Sequence, residues 1–212
     1  MRAVLFGSAE IKDYSICRQY IMPDDIIICC DGGMNHTKQL NIIPNYILGD
    51  FDSVKSEVFQ YYQELGIKIQ QFPTQKDETD MQLGLNFAVE LGADDIIIFG
   101  GIGSRFDHTL ANAHLLLRLL KKQVRGRLIN EHNCIEVIDK PTKFYGKAGD
   151  LISIIPLSME VSGITLCGMK YPLHDKRLTI DDDLIAVSNV MLEDEVEVKI
   201  KEGYLFVIQT KE

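Results

Sequence analysis

The chain has 212 residues, of which 46% are hydrophobic and 25% charged, and its net charge is −9. This composition is typical of a globular chain with one large or two small domains. The acidic balance argues against a nucleic-acid-binding surface, which needs clustered Lys and Arg, and no apolar stretch is long enough for a membrane span. The five cysteines lack C-x-x-C spacing, which argues against a disulfide framework or a zinc site and predicts a reduced, cytoplasmic protein.

The first part of the chain, residues 1–124, alternates short apolar runs with helical patterns. The runs are β-branched and nearly uninterrupted, as strands covered on both faces are; they are "RAVLFG", "DIIICC", "NYILG", "IKIQQF" and "DDIIIFGG". Candidate helices lie between and after them, near residues 13–21, 33–40, 54–65, 79–91 and 106–121. Such alternation predicts an α/β domain with a parallel sheet and helices on both of its faces.

The character of the chain changes in the second part, residues 125–212. Strand-like segments follow one another there, separated by Gly, Pro and Asp, and no helical period is present; they are "GRLINEH", "NCIEVID", "DLISIIPL", "GITLCGM", "LIAVSNVM", "EVEVKI" and "YLFVIQT". This pattern predicts a second, smaller domain that is an antiparallel β-sandwich.

The segment "YILGDFDS", residues 46–53, ends a short apolar strand with two aspartates one residue apart. In an extended chain, residues i and i+2 point to the same side, which would place Asp50 and Asp52 about 6–7 Å apart. At an effective dielectric constant of about 20, two negative charges at that distance repel by roughly 2–3 kcal/mol. Either water screens the pair in a turn, with Asp52 or Ser53 capping the next helix, or a cation lies between the two carboxylates.

The residues that follow the other strands favour the cation. Ligands of open α/β sheets bind beyond the carboxyl ends of the strands, and four consecutive strands are followed by acidic or glycine-rich segments: Asp31-Gly32-Gly33, the Asp50 segment, "TQKDETD" and "IGSRFDH". Mg²⁺ usually takes one or two carboxylates together with water and phosphate oxygens. We therefore predict a magnesium site at this edge, with Asp80 as a third carboxylate. The alternative for Asp80 is first-turn helix electrostatics with Asp77 as the N-cap; Asp31 would bind the ion, orient a water or hold the turn.

The segment "GGIGSRFDH" is glycine-rich and opens a predicted helix, so its N–H groups are placed to bind an anion. It is not a dinucleotide-binding fingerprint, because Phe106 occupies the position of the last glycine, and the chain has no P-loop sequence. Arg105 would hold a phosphate in bidentate fashion or be a solvated surface residue. Asp107 and His108 would contact the ligand or cap the helix.

Together these segments resemble the thiamine pyrophosphokinase family, whose members transfer a diphosphate from ATP to the hydroxyl of thiamine. The resemblance extends from about Cys30 to Val207, and it is carried by "DGG", "LGDFDS", "KDETDM" and "GGIGSRFDHTLAN" in this order, followed by "GMKYPL" and "VSNV". It implies an α/β domain that binds ATP and Mg²⁺ and a β-sandwich that helps to bind thiamine. It also implies a homodimer with active sites at the subunit boundary.

The resemblance also implies roles for individual residues. The metal-binding acids would be Asp50, Asp52 and Asp80, with Asp31 close by. The nucleotide and phosphate contacts would be Lys76, Asp77, Thr79, Gly101, Gly103, Ser104, Arg105, Asp107 and His108. The thiamine contacts would be Ser188 and Asn189. Ser104 stands where the family often has a second glycine, a departure that bears on the shape of the loop.

The chemistry of diphosphoryl transfer agrees with this resemblance. Catalysis there is mostly positioning and charge neutralisation, which Mg²⁺ and Arg105 would supply, and an acidic site suits the positively charged thiazolium of thiamine. The proton of the hydroxyl would pass to Asp31, Asp107 or His108. The lack of a P-loop permits attack at the β-phosphorus with release of AMP, and the resemblance selects this outcome. The alternatives are another Mg²⁺-dependent phosphotransferase or nucleotide hydrolase, or a non-catalytic nucleotide sensor.

Overall fold

The computed structural model describes residues 1–51, 54, 56–73, 77–181 and 186–211. The chain forms two compact units, Met1–Glu131 and His132–Glu212. None of the helices in the described ranges combines the length and the apolar character that a membrane span requires.

The first unit is an α/β unit, as the alternation of patterns predicts. Its described strands are β1 (Arg2–Phe6), β2 (Ile26–Cys30), β3 (Tyr46–Gly49), β4 (Lys68–Gln71), β5 (Asp95–Phe99) and β6 (Arg125–Ile129). Its described helices are α1 (Ser15–Tyr20), α2 (Met34–Leu40), α3 (Ser56–Glu64), α4 (Asp80–Glu90) and α5 (Phe106–Lys121). The strands pair in parallel in the order β6-β5-β1-β2-β3-β4.

The central strands of this sheet are buried on both faces, which explains their uninterrupted apolar sequences. Four consecutive residues are buried in each of β1, β2 and β5. The predicted helices agree with the observed ones to within two residues at either end. Fold class and helix positions are thus confirmed for this unit.

The strand β6 belongs to the parallel sheet, whereas the sequence analysis placed it in the β-sandwich. Its residues pair in parallel with β5, from Asp95 opposite Arg125 to Ile98 opposite Leu128. The division between the units consequently lies between Glu131 and His132, and not between residues 124 and 125. The polar residues Arg125 and Arg127 make this strand look half exposed in the sequence, although it ends in the buried pair Leu128 and Ile129.

The second unit consists of two antiparallel sheets. Its described strands are β7 (Asn133–Ile138), β8 (Thr142–Tyr145), β9 (Leu151–Pro156), β10 (Glu160–Cys167), β11 (Lys176–Thr179), β12 (Asn189–Val190), β13 (Glu195–Lys199) and β14 (Leu205–Thr210). One sheet has the order β12-β9-β14-β7 and the other the order β11-β10-β13-β8. Alternating buried residues from both sheets, such as Ile152 and Val207 on one side and Leu166 and Val198 on the other, form one shared core. This arrangement is the predicted sandwich.

Candidate active site

The carboxyl end of β2 is built by a close approach of backbones. Residues Asp31–Gly33 form a 3₁₀ turn that leads directly into α2. A side chain at Gly33 would overlap the carbonyl oxygen of Phe6, so only glycine fits there. Asp31 has a φ of 48°, a left-handed conformation that is uncommon for residues other than glycine. The turn therefore holds Asp31 at the end of the sheet at a cost in backbone strain.

The neighbouring strand β3 ends against this turn. A Cβ atom added to Gly49 would lie 3.0 Å from the Cα of Asp31, so the two strand ends are in contact and Asp50 follows immediately. Phe51 has a φ of 63°, which turns the chain directly after Asp50. The extended geometry assumed for the pair Asp50 and Asp52 is therefore wrong at Phe51. Asp52 itself lies outside the described residues, as does Lys76.

The first turn of α4 brings a further carboxylate to the same edge. Thr79 is the N-cap, and its hydroxyl accepts a 3.2 Å hydrogen bond from the backbone N–H of Gln82. The alternative in which Asp77 is the N-cap is thus wrong at that residue, because Thr79 of a Thr-x-x-Gln pattern is the N-cap. Asp80 is the first residue of the helix, where a negative charge is favourable.

The buried thiol of Cys30 lies within electrostatic range of two of these carboxylates. Burial raises the pKa of Cys30 well above its ordinary value, and Cys29 and the charges of Asp80 and Asp31 raise this pKa further. A side chain at Gly84 would overlap the Sγ of Cys30, so α4 packs directly on β2. Asp31 and Asp80 thus both lie on the side of Cys30, and Asp50 follows the strand end that contacts the Asp31 turn. Within the described ranges, no three His, Cys, Asp or Glu side chains converge into a complete metal site.

The glycine-rich loop after β5 is held by the first turns of α5. The hydroxyl of Thr109 accepts from the backbone N–H of Gly103 at 3.0 Å and donates to its carbonyl at 3.2 Å. The side chain of Asn112 donates to the carbonyl of Gly101 at 2.8 Å. Because the N–H of Gly103 is already engaged, Gly103 shapes the loop and does not offer a free donor to an anion. Ser104 follows it as an exposed residue.

Arg105 and Asp107 form an exposed ion pair at the start of α5. The two side chains are 2.6 Å apart and are 69% and 65% exposed. The hydrogen bond from Arg105 lowers the pKa of Asp107 to about 2. Arg105 occupies the N-cap position without a side-chain cap, so neither Asp107 nor His108 caps the helix. All three side chains lie exposed beside the glycine-rich loop.

The segment after β1 also belongs to this edge, and the sequence analysis missed it. The backbone N–H of Gly7 donates to Phe99 at 2.8 Å, and that of Ala9 donates to Gly100 at 2.9 Å. A Cβ atom at Gly103 would lie 2.8 Å from the Cβ of Ala9. Gly7, Ser8 and Ala9 follow a strand just as the acidic segments do, but these three residues carry no charge that would have drawn attention to them.

In the second unit, Asn189 is buried and its side chain is occupied. Its Oδ1 accepts from the backbone N–H groups of Tyr171 and Val190, both at 2.9 Å, and its Nδ2 donates to the carbonyl of Tyr171 at 2.8 Å. These bonds fix the backbone of Tyr171, whose ring is 55% exposed. Ser188 is exposed, has a φ of 56°, and its N–H donates to the hydroxyl of Ser153 at 3.0 Å.

A parallel α/β sheet with acidic and glycine-rich strand ends is typical of domains that bind phosphate groups, and in this chain an antiparallel β-sandwich unit follows it. Residues 17–128 match the family "Thiamin pyrophosphokinase, catalytic domain", and residues 136–205 match "Thiamin pyrophosphokinase, vitamin B1 binding domain". The chain belongs to the thiamin pyrophosphokinase family.

Individual relatives agree with this assignment. The chain is similar to the thiamine pyrophosphokinase of Bacillus subtilis, with 33% identity over 173 residues that cover 80% of this chain and 79% of the relative. The crystal structure of a Bacillus subtilis thiamine pyrophosphokinase superposes with a TM-score of 0.91 at 27% identity and covers 100% of both chains. The thiamin pyrophosphokinase from Candida albicans shares the fold, with a TM-score of 0.82 at 19% identity, covering 99% of this chain and 90% of that one.

Proposed function

We propose that this enzyme transfers the terminal diphosphate of ATP to the hydroxyl of thiamine and releases AMP and thiamine diphosphate. The observation that carries the proposal is that the acidic edge and the glycine-rich loop lie in the part of the chain that matches the catalytic domain, while a match to the vitamin B1 binding domain follows. Another phosphotransferase or a nucleotide hydrolase would leave that second domain without a role.

The carboxylates at the ends of β2 and β3 and at the start of α4 fit Mg²⁺. Asp50 and Asp80 supply hard oxygen ligands, and Mg²⁺ needs only one or two protein carboxylates when phosphate oxygens and water complete its shell. Asp52 is the third proposed ligand on the basis of the family resemblance, with Asp31 close by. When bound, the ion neutralises charge on the phosphates. The residues themselves orient the phosphate chain along the edge of the sheet.

The nucleotide is held by the loops that flank this edge. Arg105 is exposed and carries a fork of N–H donors, which suits a phosphate once its ion pair with Asp107 opens. Lys76, Asp77 and Thr79 are proposed as further nucleotide contacts, with Gly101, Gly103 and Ser104 setting the backbone of the loop. Transfer then depends on alignment of the thiamine hydroxyl with the β-phosphorus and the leaving AMP oxygen.

The acceptor of the hydroxyl proton is Asp31, Asp107 or His108. The pKa of Asp107 is about 2 while Asp107 is paired with Arg105, so Asp107 is a weak base until that pair opens. In the second unit, Ser188 is proposed to contact thiamine. The side-chain amide of Asn189 is already bonded to the backbone of Tyr171. We therefore propose that Asn189 contributes to thiamine binding indirectly, by fixing the position of Tyr171.

We also propose a cytoplasmic homodimer with active sites at the subunit boundary. The support is the family resemblance together with exposed apolar side chains beside the glycine-rich loop. Phe106 is 73% and Leu110 45% exposed, one helical turn apart on α5, and apolar side chains grouped in this way often mark an interface. Sedimentation of the parent enzyme and of Phe106→Ser tests this proposal: a monomeric but fully active parent would contradict it.

One reaction tests the function. The enzyme is incubated with ATP, Mg²⁺ and thiamine, and the products are followed by phosphorus NMR, with thiamine omitted as the control. We expect equal amounts of AMP and thiamine diphosphate, and neither product without thiamine. Formation of ADP with thiamine monophosphate would contradict the β-attack, and nucleotide cleavage that does not need thiamine would favour a hydrolase.

A further inference from the structure

A chain of hydrogen bonds connects the first two helices with the glycine-rich loop. The hydroxyl of Tyr14 lies 2.7 Å from Nδ1 of His36, and Nε2 of His36 lies 3.0 Å from the carbonyl oxygen of Ala9. Ala9 in turn donates its N–H to the carbonyl of Gly100, and its methyl group contacts Gly103. The connection thus runs from Tyr14 to the loop through a single imidazole.

The chemistry of the partners determines the state of the ring. A carbonyl oxygen only accepts hydrogen bonds, so Nε2 of His36 carries the proton and donates to Ala9. Burial lowers the pKa of His36, which keeps the ring neutral at pH 7. Nδ1 is then an acceptor, and the hydroxyl of Tyr14 donates to it. Each atom of the connection therefore has one defined role.

The loop packs closely against the segment that follows β1. Gly100 has a φ of 63° and packs so tightly on the carbonyl of Gly7 that no side chain fits. On one side the loop is held by Thr109 and Asn112 of α5. On the other side it contacts Ala9, whose carbonyl is the group that His36 holds.

We infer that His36 and Tyr14 are positioning residues that set the glycine-rich loop for the phosphates of ATP. They touch neither the nucleotide nor thiamine, and they act through Ala9. This inference rests on the proposed function only for the identity of the ligand. The role of His36 in ordering Ala9 and the loop does not depend on the proposed function.

The chain offers a matched control on the same helix. Thr37 is adjacent to His36 and buried, and its hydroxyl lies 2.9 Å from the hydroxyl of Tyr62. Both hydroxyls donate to the carbonyl of Met34, and that of Thr37 also bonds with the thiol of Cys29. Neither makes a hydrogen bond to Ala9. Tyr62→Phe and Thr37→Val therefore remove comparable polar groups from the same region while leaving the connection to the loop intact.

The test compares four variants with the parent enzyme. Tyr14→Phe and His36→Phe break the connection, whereas His36→Gln keeps a donor for Ala9 and is expected to rescue part of the function. A lost hydrogen bond corresponds to about a five- to tenfold change. We expect His36→Phe to raise the KM for ATP by that factor, Tyr14→Phe and His36→Gln to raise it less, and the KM for thiamine to stay unchanged. Tyr62→Phe should leave both values unchanged.

Hydrogen exchange at the amide of Ala9 supplies a readout that needs no activity. This amide should exchange faster in His36→Phe and Tyr14→Phe than in Thr37→Val or Tyr62→Phe of equal thermal stability. Equal exchange in all four variants, or a His36→Gln enzyme no better than His36→Phe, would overturn the inference. Should the parent make no thiamine diphosphate, the proposed function would fail, and the exchange experiment would still decide the role of His36. If His36→Phe does not fold, Tyr14→Phe alone carries the comparison.

Discussion

The two units hold their candidate residues by different means. In the first unit, Asp31, Asp50 and the glycine-rich loop follow strands with consecutive buried residues, and their positions are set by glycines that allow backbones to touch. In the second unit, Asn189 lies on the two-residue strand β12, and its buried amide is itself part of the packing. A substitution in the first unit should therefore remove chemistry and spare the fold. A substitution at Asn189 should affect both.

The largest effect is expected for Asp50→Asn. Kcat/KM should fall by at least about 100-fold, because stabilisation of phosphate charge by a bound ion contributes several kcal/mol; we expect the same of Asp52→Asn. Without Mg²⁺, the variant should be at least as stable as the parent, since it removes a negative charge from the strand end that contacts the Asp31 turn. Turnover and thermal unfolding with and without Mg²⁺ check this.

Asp94→Asn is the control for Asp50→Asn. Asp94 is 75% exposed and pairs with the N-terminal amine, so its neutralisation should leave turnover unchanged. A large loss of stability in metal-free Asp50→Asn would instead give Asp50 a structural role and remove the contrast between the units.

The second effect concerns Asn189→Ala. This change leaves the part-buried N–H and carbonyl of Tyr171 without their partner, which should cost about 0.5–1.5 kcal/mol of unfolding free energy per hydrogen bond. The KM for thiamine should rise and the KM for ATP should not. Asn189→Asp keeps the acceptor and loses the donor, so it should be intermediate.

Val207→Ala is the control for Asn189→Ala, and it separates an effect on stability from an effect on thiamine binding. Val207 is buried in the sandwich core, and its truncation should destabilise the unit to a similar extent without changing the KM for thiamine. If Val207→Ala raised that KM as much as Asn189→Ala, the proposed role of Asn189 in fixing Tyr171 would be refuted.

A third, smaller effect is expected for Arg105→Ala. A charge-assisted hydrogen bond contributes about 1.5–3 kcal/mol, so the KM for ATP should rise about tenfold or more. Thermal stability should hardly change, because an exposed ion pair contributes little. Arg177→Ala is the matched control: Arg177 forms an equally short, exposed pair with Glu160 in the second unit, and its loss should leave the KM for ATP unchanged.

The sequence predicted those parts of the fold that carry a strong local signal. The buried runs of β1, β2 and β5 and the helices of the first unit were found because their patterns are uninterrupted. The strands β8 and β11 were not, because they lie at the two edges of their sheet, where half of the residues face solvent. The left-handed φ of Phe51 and the bonding of Asn189 to Tyr171 depend on tertiary contacts that no local pattern encodes.

The candidate site residues stand out in the sequence because charged residues follow the strand ends. Asp31 and Asp50 lie at adjoining strand ends and Asp80 at the start of α4, and their shared binding of a metal ion stays a prediction. Ala9 and His36 carry no such signal, since one is apolar and the other looks like an ordinary helix residue. Their contribution depends on hydrogen bonds that span 27 residues of chain.

The smallest effect is expected for the pH dependence of Asp107→Asn. The pKa of Asp107 in the folded enzyme is lowered to about 2 by Arg105, below the value of about 3.9 expected for an unfolded chain. The ion pair therefore stabilises the folded state above the unfolded pKa, and this stabilisation is lost as the pH falls toward the folded pKa. Both partners are exposed, so solvent screening keeps the contribution small. The parent should be slightly more stable than Asp107→Asn at neutral pH and equal to it near pH 2, as measured by thermal unfolding across this range. A large difference at neutral pH would mean that this pair stabilises the α/β unit, and the candidate residues of that unit would then be as structural as Asn189.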